Sequence, residues 1–189
     1  CMGSFTIGIA IGWTGTIMRE FRRSDNPLGP KPINDNELSW LSSTSSIGMF
    51  TSLFIGSRVS ELVGRKKTTI LTAVIYISAW LMKYLSKELS MLLVSMFLSG
   101  IGCGVASAVI PPYITEIASS TIRGRLGNSF SFSMKIGYLT AFILGALLSY
   151  EVFTLCCLII SITQLVGLSV IPETPVYLVR RDRIDEARR

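Results

Sequence analysis

The chain has 189 residues, 49% hydrophobic and only 16% charged, where soluble domains carry about 25% charged residues; its mean hydropathy is +0.53. That balance excludes a water-soluble enzyme. It also excludes nucleic-acid binding, because the net charge of +6 and the pI of about 9.4 are not gathered on one face of a soluble fold.

The charges fall between long apolar runs. These runs predict an all-α bundle of six membrane-spanning helices over 1–171, with spans near 1–18, 38–57, 68–85, 89–115, 126–150 and 152–171. A span needs about 20 mostly apolar residues, so six consume most of the chain and leave no room for a soluble domain. Span one begins at Cys1 with neither the cationic region nor the small-residue cleavage site of a signal peptide. Since Cys1 is not an initiator methionine, an upstream piece is expected. The loop after it holds Pro27, Gly29, Pro30 and Pro32 and reads as irregular. Span three runs out near Lys83, which is close enough to a helix end to snorkel to the interface. Span five is interrupted by Lys135, the one cation no loop claims. Residues 172–189 begin a helical linker, with Asp182 as its cap. The chain ends inside that element, which predicts a truncated segment.

Histidine is absent, and Cys1, Cys103, Cys156 and Cys157 all lie in apolar runs without metal-ligand spacing. They read as buried thiols, and no metal or cofactor is expected. Alternating the loops between two sides places Arg58, Arg65, Lys66, Lys67, Arg123, Arg125, Arg180, Arg181, Arg183, Arg188 and Arg189 together. The other side receives Arg19, Arg22, Arg23, Lys31, Lys83 and Lys87. Short cytoplasmic loops concentrate Lys and Arg, so the first set and the tail after Pro172 are predicted to be cytoplasmic.

Six spans divide into two oppositely oriented triplets. The first helix of each carries a small-residue pair, Gly8/Gly12 and Gly100/Gly104. Such pairs let helix backbones approach closely in lipid, and their recurrence fits an inverted repeat, a building plan of secondary transporters.

Between spans two and three the sequence reads Glu61-Leu-Val-Gly64-Arg65-Lys66-Lys67, a glycine-permitted turn flanked by opposite charges. Span four ends in Pro111-Pro112-Tyr113-Ile114-Thr115-Glu116-Ile117-Ala118, followed by Arg123-Gly124-Arg125-Leu126-Gly127. After span six comes Pro172-Glu173-Thr174-Pro175-Val176-Tyr177-Leu178. In order and spacing these resemble the loop motif and signatures of major facilitator superfamily sugar porters. The resemblance covers the first half of that twelve-helix fold, one 3+3 inverted repeat. Gly12-Trp13-Thr14 and Glu37-Leu38-Ser39-Trp40-Leu41 further resemble the arthropod facilitated trehalose/glucose transporter branch.

The resemblance implies a cytoplasmic charge network for gating, built from Glu61, Gly64, Arg65, Glu116, Arg123, Gly124, Arg125, Pro172 and Glu173. It also implies that span five lines a central cavity. There Ser131, Met134, Lys135 and Tyr138 stand at i, i+3, i+4 and i+7 and share a face; with Thr14 they are the candidate substrate-binding residues. Two positions depart from the family pattern: Ser131 stands where a glutamine is usual, and Met96 where an arginine is usual. The first puts ordinary hexose recognition in question, and the second favours passive facilitation over proton symport. A buried Lys135 is costly in lipid and is a functional candidate by default.

The implied function is facilitated transport of a sugar, trehalose or a hexose, across the plasma membrane by alternating access. The partners implied are the sugar, the lipid bilayer and a C-terminal six-helix half. Two alternatives stay open: a carrier of another small organic solute, and a non-transporting sugar sensor or half-protein. No nucleophile–base pair supports an enzyme.

Overall fold

The computed structural model describes residues 2–21, 33–117 and 123–170. They form α1 (Met2–Phe21), α2 (Asp35–Val63), α3 (Arg65–Leu85), α4 (Leu89–Ile117), α5 (Arg123–Leu147) and α6 (Tyr150–Val170). The helix ends follow local chemistry. Asn34 and Glu37 form a capping box at the start of α2, the Asn34 amide donating to Glu37 Oε2 at 2.9 Å. Asp35 and Glu37 occupy the first turn, where the helix dipole favours acids.

A single residue, Gly64, joins α2 to α3 at φ 108° and ψ 149°, a backbone conformation that glycine adopts without a Cβ penalty. Its amide donates to the Ser60 carbonyl at 3.2 Å, and its carbonyl accepts from the amide and hydroxyl of Thr68 at 3.1 and 2.8 Å. One residue thus ends one helix and starts the next. At the last turn Ser149 takes the N-cap position of α6, its carbonyl accepting from the Phe153 amide at 2.9 Å. The break therefore falls at Leu148–Ser149, and Tyr150 belongs to α6 rather than to the fifth span. The predicted boundary followed the charge of Glu151, but a serine cap with an acid in the first turn is itself a helix start.

The two small-residue pairs cross between the triplets. Gly8 of α1 lies against the Met134 and Tyr138 backbone of α5, and Gly12 against Tyr138 and Ala141. Gly100 of α4 lies against the Ser45 and Met49 backbone of α2, and Gly104 against Met49 and Ser52. Each first helix thus packs on the second helix of the other triplet. A Cβ at Gly8 or Gly100 would meet a carbonyl oxygen of the facing helix, so small residues are required for contact this close. Helix α3 packs on α4 and α6, and α1 also touches α4 and α6.

By length and composition α3, α4, α5 and α6 are apolar enough to cross a membrane. Helix α1 falls short on that measure because it carries Arg19 and Glu20 at its end, and α2 because it is rich in hydroxyls. The hydroxyls return to their own helix: Ser46 donates to the Ser42 carbonyl at 3.1 Å, Thr51 to Ile47 at 2.9 Å, and Thr14 to Ala10 at 3.1 Å. Back-bonding of this kind satisfies the polar groups within the helix. Helix α1 supplies Ile7, Ile9, Trp13, Ile17 and Phe21 to the core.

Candidate functional site

On α5, Ser131, Lys135 and Tyr138 are exposed and Met134 is half-buried. Their shared face flanks the contact with α1, because Gly8 is clasped against the Met134 and Tyr138 backbone. The Tyr138 ring leans on Phe142, with centroids 5.3 Å apart. Thr14 is half-buried and spends its hydroxyl on its own helix. Within this bundle Lys135 is exposed rather than buried. Residues 137 and 141 carry the buried side of α5, and Lys135 lies off that side.

At the Gly64 end of the bundle, Glu61 is exposed and Arg65 is half-buried, with Nη1 donating to Ser60 Oγ at 2.6 Å. Lys66 Nζ reaches the Ser169 carbonyl at 3.3 Å, tying the start of α3 to the end of α6. The sequence motif does not reveal that contact. Glu116 lies in the last turn of α4 and Arg123 opens α5, while Gly124 and Arg125 are exposed. Pro172 and Glu173 lie outside the described residues, as does Cys1. Cys103 and Cys157 are buried, Cys156 is partly buried, and all three are free thiols.

The interior holds a different lysine. Lys83 is fully buried, its Nζ 2.8 Å from Ser99 Oγ. It lies 4.3 Å from the ring centroid of Trp13 and 4.1 Å from that of Trp80. The two indoles meet edge to face, 5.6 Å apart at 77°, and Tyr150 closes on Trp13 at 5.9 Å. Tyr150 also donates from its hydroxyl to the Lys83 carbonyl at 2.7 Å, and Ser86 Oγ donates to the same carbonyl at 2.7 Å. Ser99 stands ten residues into α4, about 15 Å along an axis that rises ~1.5 Å per residue. The ammonium is therefore well inside the bundle rather than at its end.

Lys83 does not snorkel, and it does not count among the loop cations. It lies at the C-terminal end of α3, and Cα–Cβ bonds tilt toward a helix N-terminus. The side chain is launched back into the bundle rather than outward. Helical periodicity carries the missed signal. Thr72, Tyr76, Ala79, Trp80 and Lys83 all lie on the buried side of α3, which puts Lys83 on the core stripe. Burying an ammonium costs several kcal/mol. A desolvated cation over an indole face returns about 2 kcal/mol, and a hydrogen bond to a charged group about 1.5–3 kcal/mol. Two indoles and Ser99 match the three N–H donors of the ammonium.

The family described as "Sugar (and other) transporter" matches residues 1–189. The chain belongs to the sugar transporter family. Among curated members, it is 31% identical over 183 residues to "Sugar transporter ERD6-like 9" of Arabidopsis thaliana, covering 97% of this chain and 54% of that one. It is 28% identical to "Solute carrier family 2, facilitated glucose transporter member 8" of Mus musculus, covering 98% of this chain and 39% of that protein. It is also 28% identical to "Facilitated trehalose transporter Tret1" of Culex quinquefasciatus, covering 100% of this chain and 36% of the relative. The chain thus spans about half the length, or less, of these sugar transporters. In fold it matches the partially occluded inward-open xylose transporter XylE from E. coli with a TM-score of 0.84 at 18% identity, covering 98% of this chain and 51% of that one. The six helices have the fold of one half of a major facilitator transporter, and the family consists of transporters rather than enzymes.

Proposed function

We propose that this chain forms one six-helix half of a carrier that moves a sugar, trehalose or a hexose, across the plasma membrane by alternating access. The observation that carries the proposal is the α5 face. It turns Ser131, Lys135 and Tyr138 outward while its backbone is gripped by Gly8 of α1. A polar face left uncovered by its own bundle suits a cavity shared with a second six-helix half, with substrate between the halves near mid-depth. The loop cations assign the Gly64 end, and the segment after Pro172, to the cytoplasm. Glu61, Arg65, Glu116, Arg123, Arg125 and Glu173 then form a gate at helix feet, with Gly64, Gly124 and Pro172 shaping its turns. Relatives named for glucose and trehalose transport support the substrate class.

The test is uptake of labelled trehalose, glucose and a polyol by the full-length transporter in cells lacking their own carriers, with and without a pH gradient. Saturable uptake of at least one sugar, unchanged by the gradient, is the expected result. No uptake of any of them at verified surface expression overturns the proposal. A second reading, a carrier for another small organic solute, is favoured by the cation Lys135 in the exposed stripe. Uptake of an organic anion in place of the sugars would select it.

A further inference from the structure

The uncovered α5 stripe belongs to the site already described. The cavity of about 310 Å³ lined by the buried Gln164 is walled mostly by apolar atoms, and a lone buried amide there names no ligand. The Lys83 cage has no such ready account. Its cation is enclosed by three helices: Trp13 comes from α1, Trp80 from α3 and Ser99 from α4. The ionisable groups that act on it are the Cys103 and Cys157 thiols, and among the described residues no carboxylate approaches it.

Trp13 sharpens the point. Its ring is fully buried and its Nε1–H makes no hydrogen bond. A buried N–H left unpaired is unfavourable, and phenylalanine at this place would avoid the penalty. What indole supplies and phenylalanine supplies less well is a π-face for a cation. The orphaned N–H and the enclosed ammonium, two separate observations, explain each other. Trp13 also adjoins Gly12, the residue that packs on Tyr138 and Ala141 of α5. A shift of Trp13 is therefore passed directly to the helix that carries the candidate substrate face.

We propose that Lys83 is a positioning residue: an enclosed ammonium that holds Trp13, and through it the α1–α5 pair, in register against α3 and α4. Lys83 touches no substrate, yet it sets substrate affinity by fixing where the α5 face stands. This rests on the transport reading above for its kinetic test alone.

The experiment compares Lys83→Met, which keeps length and loses charge, with Lys83→Arg, which keeps the charge, in the full-length transporter at equal surface expression. Lys83→Met is expected to raise KM about fivefold or more while Vmax stays within about twofold, and Lys83→Arg to recover most of the affinity. A side chain that merely fills space would behave the other way, with Met tolerated and Arg not; that outcome overturns the proposal. So does an unchanged KM in Lys83→Met.

Trp13→Phe carries the test if Lys83→Met fails to reach the membrane. It must raise KM by itself, and an unchanged KM in that variant overturns the proposal. The thermal unfolding midpoint of the purified transporter is read in parallel for Lys83→Met, Trp13→Phe and the double variant. Coupling is expected to make the double effect smaller than the sum; additive effects overturn the cage. If the unaltered protein carries none of the sugars, the transport reading fails, and this thermal cycle judges the cage independently.

Discussion

Lys83 and Lys135 carry the same charge on the same flexible stem, each within a predicted span, and the bundle treats them oppositely. Lys83, two residues before the end of α3, is enclosed by two indoles and a serine. Lys135, in the middle of α5, is exposed. Distance from a helix end does not decide whether a membrane lysine is buried. The face it occupies, and the direction in which its helix runs, decide it. Helix α3 buries a stripe through Thr72, Tyr76, Ala79 and Trp80 that ends on Lys83. Helix α5 buries Gly137 and Ala141 and leaves Ser131, Lys135 and Tyr138 outside.

Charge reversal should break this comparison most severely. Lys83→Glu places a carboxylate against the two indole rings that now hold a cation, with no cation left to pair it. An uncompensated buried charge costs about 3–5 kcal/mol, a large fraction of a domain's total stability. Loss of folded protein at the membrane is the expected outcome. Lys135→Glu, on an exposed face, should leave the unfolding midpoint close to its original value. Equal losses in the two variants would show that the exposure difference has no energetic meaning.

The same contrast shows what the amino-acid sequence discloses. Six helices, their approximate bounds and the two glycine pairs were legible, because apolar runs and small-residue spacing act over a few neighbouring residues. The partners of those pairs were not. That Gly8 meets α5 and Gly100 meets α2 depends on how two triplets interlock, which no local pattern encodes. The stripe Ser131, Met134, Lys135 and Tyr138 was legible as a helical face. Lys83 was misread because a charge near a helix end invites a snorkelling argument. Its spacing from Tyr76 and Trp80 already aligned it with the core. The aromatic cage needs Trp13, seventy residues away along the chain, and so could not be read locally.

A milder test removes only the polar wall of the cage. Ser99→Ala takes away the oxygen 2.8 Å from Lys83 Nζ and leaves both indoles in place. A hydrogen bond to a charged group is worth about 1.5–3 kcal/mol, so a lowered unfolding midpoint is expected, smaller than that of Lys83→Glu. Ser99→Thr, which keeps the hydroxyl, should recover part of it. If Ser99→Ala changes nothing, the indoles alone hold the cation and Ser99 is a bystander.

The smallest effect on stability is expected at Lys135, and that makes it the more informative lysine for transport. Lys135→Met removes a charge from an exposed face, where substitutions away from special features usually stay within about 0.5 kcal/mol. The folded population should therefore be unchanged, so a change in uptake at equal surface expression reports on the carrier's cavity rather than on folding. If Lys135 meets the substrate, Lys135→Met raises KM while the unfolding midpoint stays where it was. If uptake is equally indifferent, Lys135 serves neither the fold nor the substrate. The buried Lys83 would then be the one lysine of the two spans with a function.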